Sequence, residues 1–249
     1  MSFRTLPLRV NDFRQNESKN YFVRRKSVVT TIGALILLAT LSFPDSLSAQ
    51  EVKFDSDSIS GLGARNIGSA AMSGRVSALS AVKEDGRLTV YIGAASGGVW
   101  KSVNGGTTFK PVFDKQTSQS IGAIAIDPQA PKTIWVGTGE AWTRNSVSIG
   151  DGIYKSTDGG ENWTNVGLKN SERISKILID PKDGNTVYVC VPGKLWSDSE
   201  DRGVYKTTDG GQSWKNILKG VNLSTGCSMI SMDPTNPKTI YAGMWDFRR

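Results

Sequence analysis

The groups that could do chemistry in this chain fall in two short stretches. Residues 138–151 hold Glu140, Trp142, Arg144, Asn145 and Asp151, and residues 191–202 hold Lys194, Trp196, Asp198, Glu200, Asp201 and Arg202. Indole rings stack on the apolar faces of sugars and peptides while charged and amide groups fix orientation. Trp142, Arg144, Asn145, Trp196 and Arg202 are therefore candidate ligand-binding residues. Carboxyl groups in the same stretches open a second chemistry. Glycoside hydrolysis uses two of them about 5 to 9.5 Å apart, and Glu140 with Asp198 or Glu200 are the candidate catalytic acids. Asp198, Glu200 and Asp201 also suggest part of a calcium loop, although acids on a polar turn are ordinarily just solvated.

Counting removes other chemistries. The 249 residues include no histidine and two cysteines. No Ser-His-Asp or Cys-His relay, His-ligated metal or Cys₄ site can be built, and the chain is expected to work without metal or cofactor. A net charge of +7 hints at nucleic acid, but the first fifty residues carry +4 of it. The remaining 23 basic and 20 acidic residues are interspersed without runs of like charge. No nucleic-acid partner is expected from such a distribution.

The two stretches need a scaffold, and that scaffold is a repeat. Ile124-Ala125-Ile126-Asp127-Pro128 returns as Ile177-Leu178-Ile179-Asp180-Pro181 and as Ile230-Ser231-Met232-Asp233-Pro234, at intervals of 53 residues. Runs such as Thr133–Gly137, Thr186–Val189 and Thr239–Gly243 follow, and then Gly152–Lys155 and Gly203–Lys206. A looser copy covers Val76–Ala81, Leu88–Gly93 and Gly98–Lys101, and fourth runs begin at Phe109, Trp163 and Trp214. Four short strands in about 50 residues, separated by turn signals, is the spacing of a propeller blade. The expected fold is all-β, a β-propeller with blades at about 74–119, 120–172 and 173–225 and an incomplete one at 226–249. Three and a half blades cannot close a ring, so the reading is the N-terminal part of a longer product or a truncated gene model.

The turn between third and fourth runs has the sharpest signature: Ser156-Thr157-Asp158-Gly159-Gly160-Glu161-Asn162-Trp163, Thr207-Thr208-Asp209-Gly210-Gly211-Gln212-Ser213-Trp214, and a degenerate copy from Ser102 to Phe109 with Asn104 in the acid's place. It resembles the Asp-box, or BNR repeat, of sialidase-like and sortilin-like propellers. A short acceptor followed by two glycines suits a hairpin, and the tryptophan anchors the next strand. A residue repeated once per blade cannot converge on a single site, so Asn104, Asp158, Trp163, Asp209 and Trp214 are structural candidates. In the resembling families the Asp-box lies on the face away from the ligand.

Further segments narrow the resemblance: Gly74-Arg75-Val76, Gly97–Ser102, Val136–Glu140, Arg144–Ser148, Gly150–Ser156 and Ala242–Trp245. Residues 64–249 look like the opening of large exported bacterial proteins with a sortilin-like propeller, often labelled glycosyl hydrolases by similarity to xyloglucanases and sialidases. That resemblance implies binding of a peptide, protein or glycan on the face opposite the Asp-boxes, with a xyloglucanase- or sialidase-like glycosidase as the alternative. The sialidase Phe/Tyr-Arg-Ile-Pro motif is absent, and the position nearest the xyloglucanase acid is Ala95.

Upstream of the repeat, Arg24-Arg25-Lys26 precede an apolar stretch from Val28 to Phe43, then Pro44 and small residues to Ala49. This is the shape of a secretory signal over residues 1–49, with 50–73 as lead-in; uncleaved, it would be the chain's only membrane attachment. An exported chain meets oxidising conditions, in which Cys190 and Cys227 are available for a disulfide.

Overall fold

The computed structural model describes residues 75–84 and 86–248. The expected signal segment and lead-in lie outside the described residues. Within them, fourteen strands make three four-stranded antiparallel sheets and one two-stranded sheet, each a simple meander. The first holds β1 (Val76–Glu84), β2 (Arg87–Ala94), β3 (Val99–Ser102) and β4 (Lys110–Pro111). β5 (Ile121–Ile126), β6 (Ile134–Thr138), β7 (Ile153–Ser156) and β8 (Thr164–Asn165) form the second. In the third are β9 (Lys176–Asp180), β10 (Asp183–Val191), β11 (Gly203–Thr207) and β12 (Lys215–Leu218), and β13 (Thr225–Met232) with β14 (Ile240–Asp246) begin a fourth. One 3-10 turn at Lys169–Ser171 is the only helical element among the described residues.

The sheets are blades of a β-propeller. Their first strands β1, β5, β9 and β13 adjoin in succession, and the cores lie between sheets rather than within one. Strand β6 shows how sequence alternation produces this. Ile134 and Val136 pack toward the first blade with Tyr91, Val99 and Phe113, whereas Trp135 points the other way, toward Val187 and Val189 of the third. A central strand buried on both faces is apolar along nearly its whole length, and β6 is buried throughout, its one hydroxyl, on Thr138, donating to Gly152 O.

The Asp/Asn-Gly-Gly turns are built alike. Asp158 Oδ1 accepts from Asn162 N at 2.9 Å, Asp209 Oδ1 from Ser213 N at 2.9 Å and Asn104 Oδ1 from Thr108 N at 3.0 Å. Both glycines of each turn have φ between +69° and +97°, where a side chain is strained. The hydroxyl two residues ahead of the acid, on Ser102, Ser156 or Thr207, accepts from the second glycine's N–H at 2.8 to 3.0 Å. These turns also join blades. Trp163 Nε1 donates to Val112 O at 2.7 Å and Trp214 Nε1 to Val166 O at 2.7 Å, while Lys101 and Lys155 reach Gly159 O and Gly210 O of the following blade.

Such donors hold the turn carboxyls in the charged form. Hydrogen bonds from Asn162 and Ser156 lower Asp158 to about 2, and Ser213 and Thr207 lower Asp209 as well. A carboxyl depressed below its unfolded value of about 3.9 contributes fully above that pH and loses the contribution as pH falls toward its folded pKa. Stability is therefore expected to decline between about pH 4 and about pH 2, and Asp209→Asn to flatten part of that decline. Asn104 already shows an amide in this turn, facing a hydroxyl on Thr108 as residue 209 faces Ser213. Urea midpoints measured across this range would count against the assignment if wild type and variant had the same slope.

Candidate ligand-binding face

Antiparallel connectivity puts the Gly-Gly turns at one end of the first three blades. The connections 94–99, 138–153 and 191–203, with the blade-to-blade links 112–120, 166–175 and 219–224, lie at the other. At that end three of the four inner strands, β1, β5 and β13, are irregular. The pairs Val76↔Ala94 and Ala78↔Gly93 leave Ser77 as an extra residue, and likewise Gly122 and Ser228 are extra in β5 and β13. Ser175, just ahead of β9, holds the same place and donates its N–H to Cys190 O at 3.0 Å. Bulges re-aim side chains, and here the three bulge residues, together with Ser175, line one pocket. Gly122, Ser175 and Ser228 are spaced by 53 residues, the period of the repeat. Ser175 and Ser228 donate to the second strand, to Cys190 O at 3.3 Å and Gly243 O at 3.0 Å, while Ser77 Oγ lies 2.5 Å from Ile121 O of the next blade and 3.0 Å from Gly93 O. Gly122 must be glycine, because a Cβ there would lie 2.1 Å from Ile174 O and 2.3 Å from Gly139 O.

Above these residues is a pocket of about 350 Å³ walled by Ala141, Trp142, Thr143, Met229, Trp245 and Phe247. Trp142 and Trp245 are 59% and 58% exposed. Trp245 leans on buried Phe247 with centroids 5.4 Å apart, and the Arg144 guanidinium sits 5.5 Å from the Trp142 ring centre. Among the described residues, neither carboxyl nor basic side chains line this pocket.

Several expected site residues are placed otherwise. Glu140 is 1% exposed and clamped by Arg75, whose Nε donates at 2.8 Å and whose Nη2 contacts both carboxylate oxygens. Glu140, a candidate catalytic acid, is thus buried and ion-paired rather than open to solvent. Asp198 instead pairs with Arg248 at 2.8 Å on the surface, while Glu200 is exposed beside a cleft formed with Lys219–Leu223. Asp201 lines a different cleft with Tyr205. The three acids of the suggested calcium loop thus do not converge, and among the described residues no group of three such ligands could hold a metal.

Arg202 is also corrected. Expected on a ligand surface, it is 2% exposed, and its guanidinium donates to Leu223 O at 2.8 Å, Ser197 O at 3.1 Å, Pro192 O and Lys194 O. Its donors are spent on ordering residues 192–202, the loop that carries Trp196, itself 58% exposed. Burial pushes the Arg202 pKa down, opposed by Asp246 and Asp198. Asn145 is exposed on the loop of Trp142, and Ala95 is fully buried behind the first blade's loop. The bulge residues carried a sequence signal, their 53-residue spacing, that strand patterning alone does not reveal.

Comparison with known proteins now has a geometry to meet. The Sortilin-Vps10 family (sortilin, neurotensin receptor 3) matches residues 97–244, which is more than half of the chain. The chain belongs to that family.

This sortilin-family propeller is also similar to curated enzymes. A probable oligoxyloglucan-reducing end-specific xyloglucanase of Neosartorya fischeri is 35% identical over 101 residues, covering 38% of this chain and 10% of the enzyme. Xyloglucanase Xgh74A of Acetivibrio thermocellus is 24% identical over 257 residues, covering 88% of this chain and 28% of the enzyme. The chain therefore spans from a tenth to a little over a quarter of these relatives' length. The crystal structure of an ancestral GH74 enzyme superimposes with a TM-score of 0.54 at 22% identity, over 72% of this chain and 23% of that one, which supports the propeller fold.

Proposed function

We propose that this propeller is an exported binding module that takes a peptide, protein or glycan on the face opposite its Asp-box turns, in the pocket walled by Trp142 and Trp245. The observation that carries the reading is the pocket's composition: two largely exposed indoles over a floor of small residues, with no carboxyl group among its described lining residues. Rings of this kind bind by stacking and by releasing water, and need no reacting group. Export is supported by the signal-like residues 1–49 and by the bonded pair Cys190–Cys227, which suits an oxidising compartment.

A glycosidase is the alternative, favoured by similarity to xyloglucanases. It would need carboxyl groups other than Glu140, and the exposed pair Asp198 and Glu200 would have to supply them. The two readings separate in one set of measurements. Titrating the chain with peptide pools and with xyloglucan oligosaccharides, followed by tryptophan fluorescence, should give saturable binding without turnover. Trp142→Ala or Trp245→Ala should weaken binding by about 2 kcal/mol or more while leaving the melting temperature in place, as expected of exposed anchors. Hydrolysis of the oligosaccharides, abolished by Asp198→Asn or Glu200→Gln, would overturn the binding-only reading.

A further inference from the structure

The floor of the pocket walled by Trp142 and Trp245 is chemically one-sided. Ser77, Ser175 and Ser228 line it, and all three are partly exposed. A serine hydroxyl has one proton and two lone pairs. Each of these protons is engaged with a backbone carbonyl. Ser77 Oγ has Ile121 O at 2.5 Å and Gly93 O at 3.0 Å, Ser228 Oγ donates to Gly243 O at 3.0 Å, and Ser175 Oγ to Cys190 O at 3.3 Å. What the hydroxyls leave for a ligand is therefore oxygen lone pairs. Gly122, in the same row, adds no side-chain group.

Such a floor selects by what it lacks. A carboxylate or phosphate set on it would meet lone pairs with its own, and drawing a serine proton toward the anion would give up a bond to a carbonyl. Among the described residues no basic side chain lines the pocket to offset the negative charge. A ligand must bring donors instead, and they must be spread out. Ser77 lies in β1, Ser175 just ahead of β9 and Ser228 in β13, and β5 stands between β1 and β9 in the succession of inner strands.

Three kinds of donor can be compared on that basis. An ammonium gathers its donors at one nitrogen and brings a positive charge that no carboxyl in the described lining offsets. An extended peptide brings a carbonyl for every N–H, so part of its edge would face lone pairs. A sugar ring carries several hydroxyls around its rim, each free to turn its proton toward an acceptor, and its apolar face stacks on an indole. At about 350 Å³ the pocket is at the small end of ligand sites, which suits one ring rather than a long segment.

We propose that this pocket takes a neutral sugar residue of a glycan, its ring face on Trp142 or Trp245 and its hydroxyls donating to Ser77, Ser175 and Ser228. The three serines are then the specificity determinants, which turn away acidic sugars and the carboxylate end of a peptide. This inference rests on the reading of the pocket as a binding site and narrows that reading to one ligand class.

The test is an NMR titration of the chain with the methyl glycosides of glucose, galactose and mannose, each beside its uronic acid counterpart, reading the amide signals of 141–143, 228–229 and 245–247. Saturable shifts are expected with at least one neutral glycoside, and binding at least roughly tenfold weaker with its acidic counterpart, as a charged group left facing acceptors requires. Ser175→Ala and Ser228→Ala, each removing one acceptor, should weaken the neutral glycoside by roughly fivefold. The acid counterpart on the wild-type chain keeps the test independent of how those variants fold. Equal affinity for the two members of a pair, wild-type affinity in both serine variants, or shifts with peptide pools but with no glycoside would each overturn the proposal while leaving the pocket a binding site. Silence of these signals toward peptides and glycosides alike would sink both the proposal and the reading beneath it.

Discussion

Replacing Arg202 with alanine is expected to destabilise the chain by roughly 4 kcal/mol or more, because each buried acceptor left without its donor costs about 1–3 kcal/mol. The guanidinium serves four carbonyls at once, those of Leu223, Pro192, Lys194 and Ser197. Pro192 and Lys194 belong to the loop bearing Trp196, and Leu223 to the link into the fourth blade, so the loss would spread to both. Lysine should rescue little, since one ammonium cannot span acceptors that a planar fork reaches together. Urea denaturation checks the magnitude, and hydrogen exchange over 192–202 checks the place. Trp196→Ala is the control, expected to leave the midpoint unchanged because that ring is more than half exposed. An Arg202→Ala midpoint equal to wild type would show that water takes over the acceptors and that the loop is ordered by something else.

The second large effect is expected from the disulfide. Cys190 on β10 is bonded to Cys227 on β13, closing a 37-residue separation and tying the third blade to the fourth. Chain entropy for a loop of that size corresponds to about 4 kcal/mol, and removing native disulfides typically costs about 2–5. Both sulfurs are buried in the core shared by these blades, with Tyr188, Val204 and Ile230. The consequence reaches the candidate site, because Ser228, Met229, Trp245 and Phe247 all lie on or directly after the hairpin that Cys227 anchors. Cys190→Ala with Cys227→Ala should therefore lower the denaturation midpoint and raise exchange across 225–247 more than elsewhere. Ligand binding through Trp245 should weaken in parallel. A variant that lost stability but kept slow exchange in this hairpin would show that packing alone, not the bond, positions the pocket wall.

The blades, their strands and their turns were legible in the chain because each depends on neighbours within a few residues. A strand buried on both faces reads as a nearly continuous apolar run, as β6 does, and a turn at positive φ must read as glycine, as at Gly159-Gly160 and Gly210-Gly211. Copies at a 53-residue interval then implied stacked blades, since one such unit cannot bury its own faces. Burial of the polar groups was a different matter. Glu140 and Arg202 read like the exposed residues beside them, Trp142 and Trp196, because polarity alone does not tell a solvated side chain from a buried one with partners. The deciding partners come from far along the chain: Arg75, 65 residues before Glu140, and the carbonyl of Leu223, 21 residues after Arg202. Likewise, whether Cys190 meets Cys227 depends on the Cα separation of 5.2 Å that packing one blade on the next imposes. Local sterics and periodicity are written residue by residue, whereas the fate of a charge or a thiol is settled by which blade lies against it.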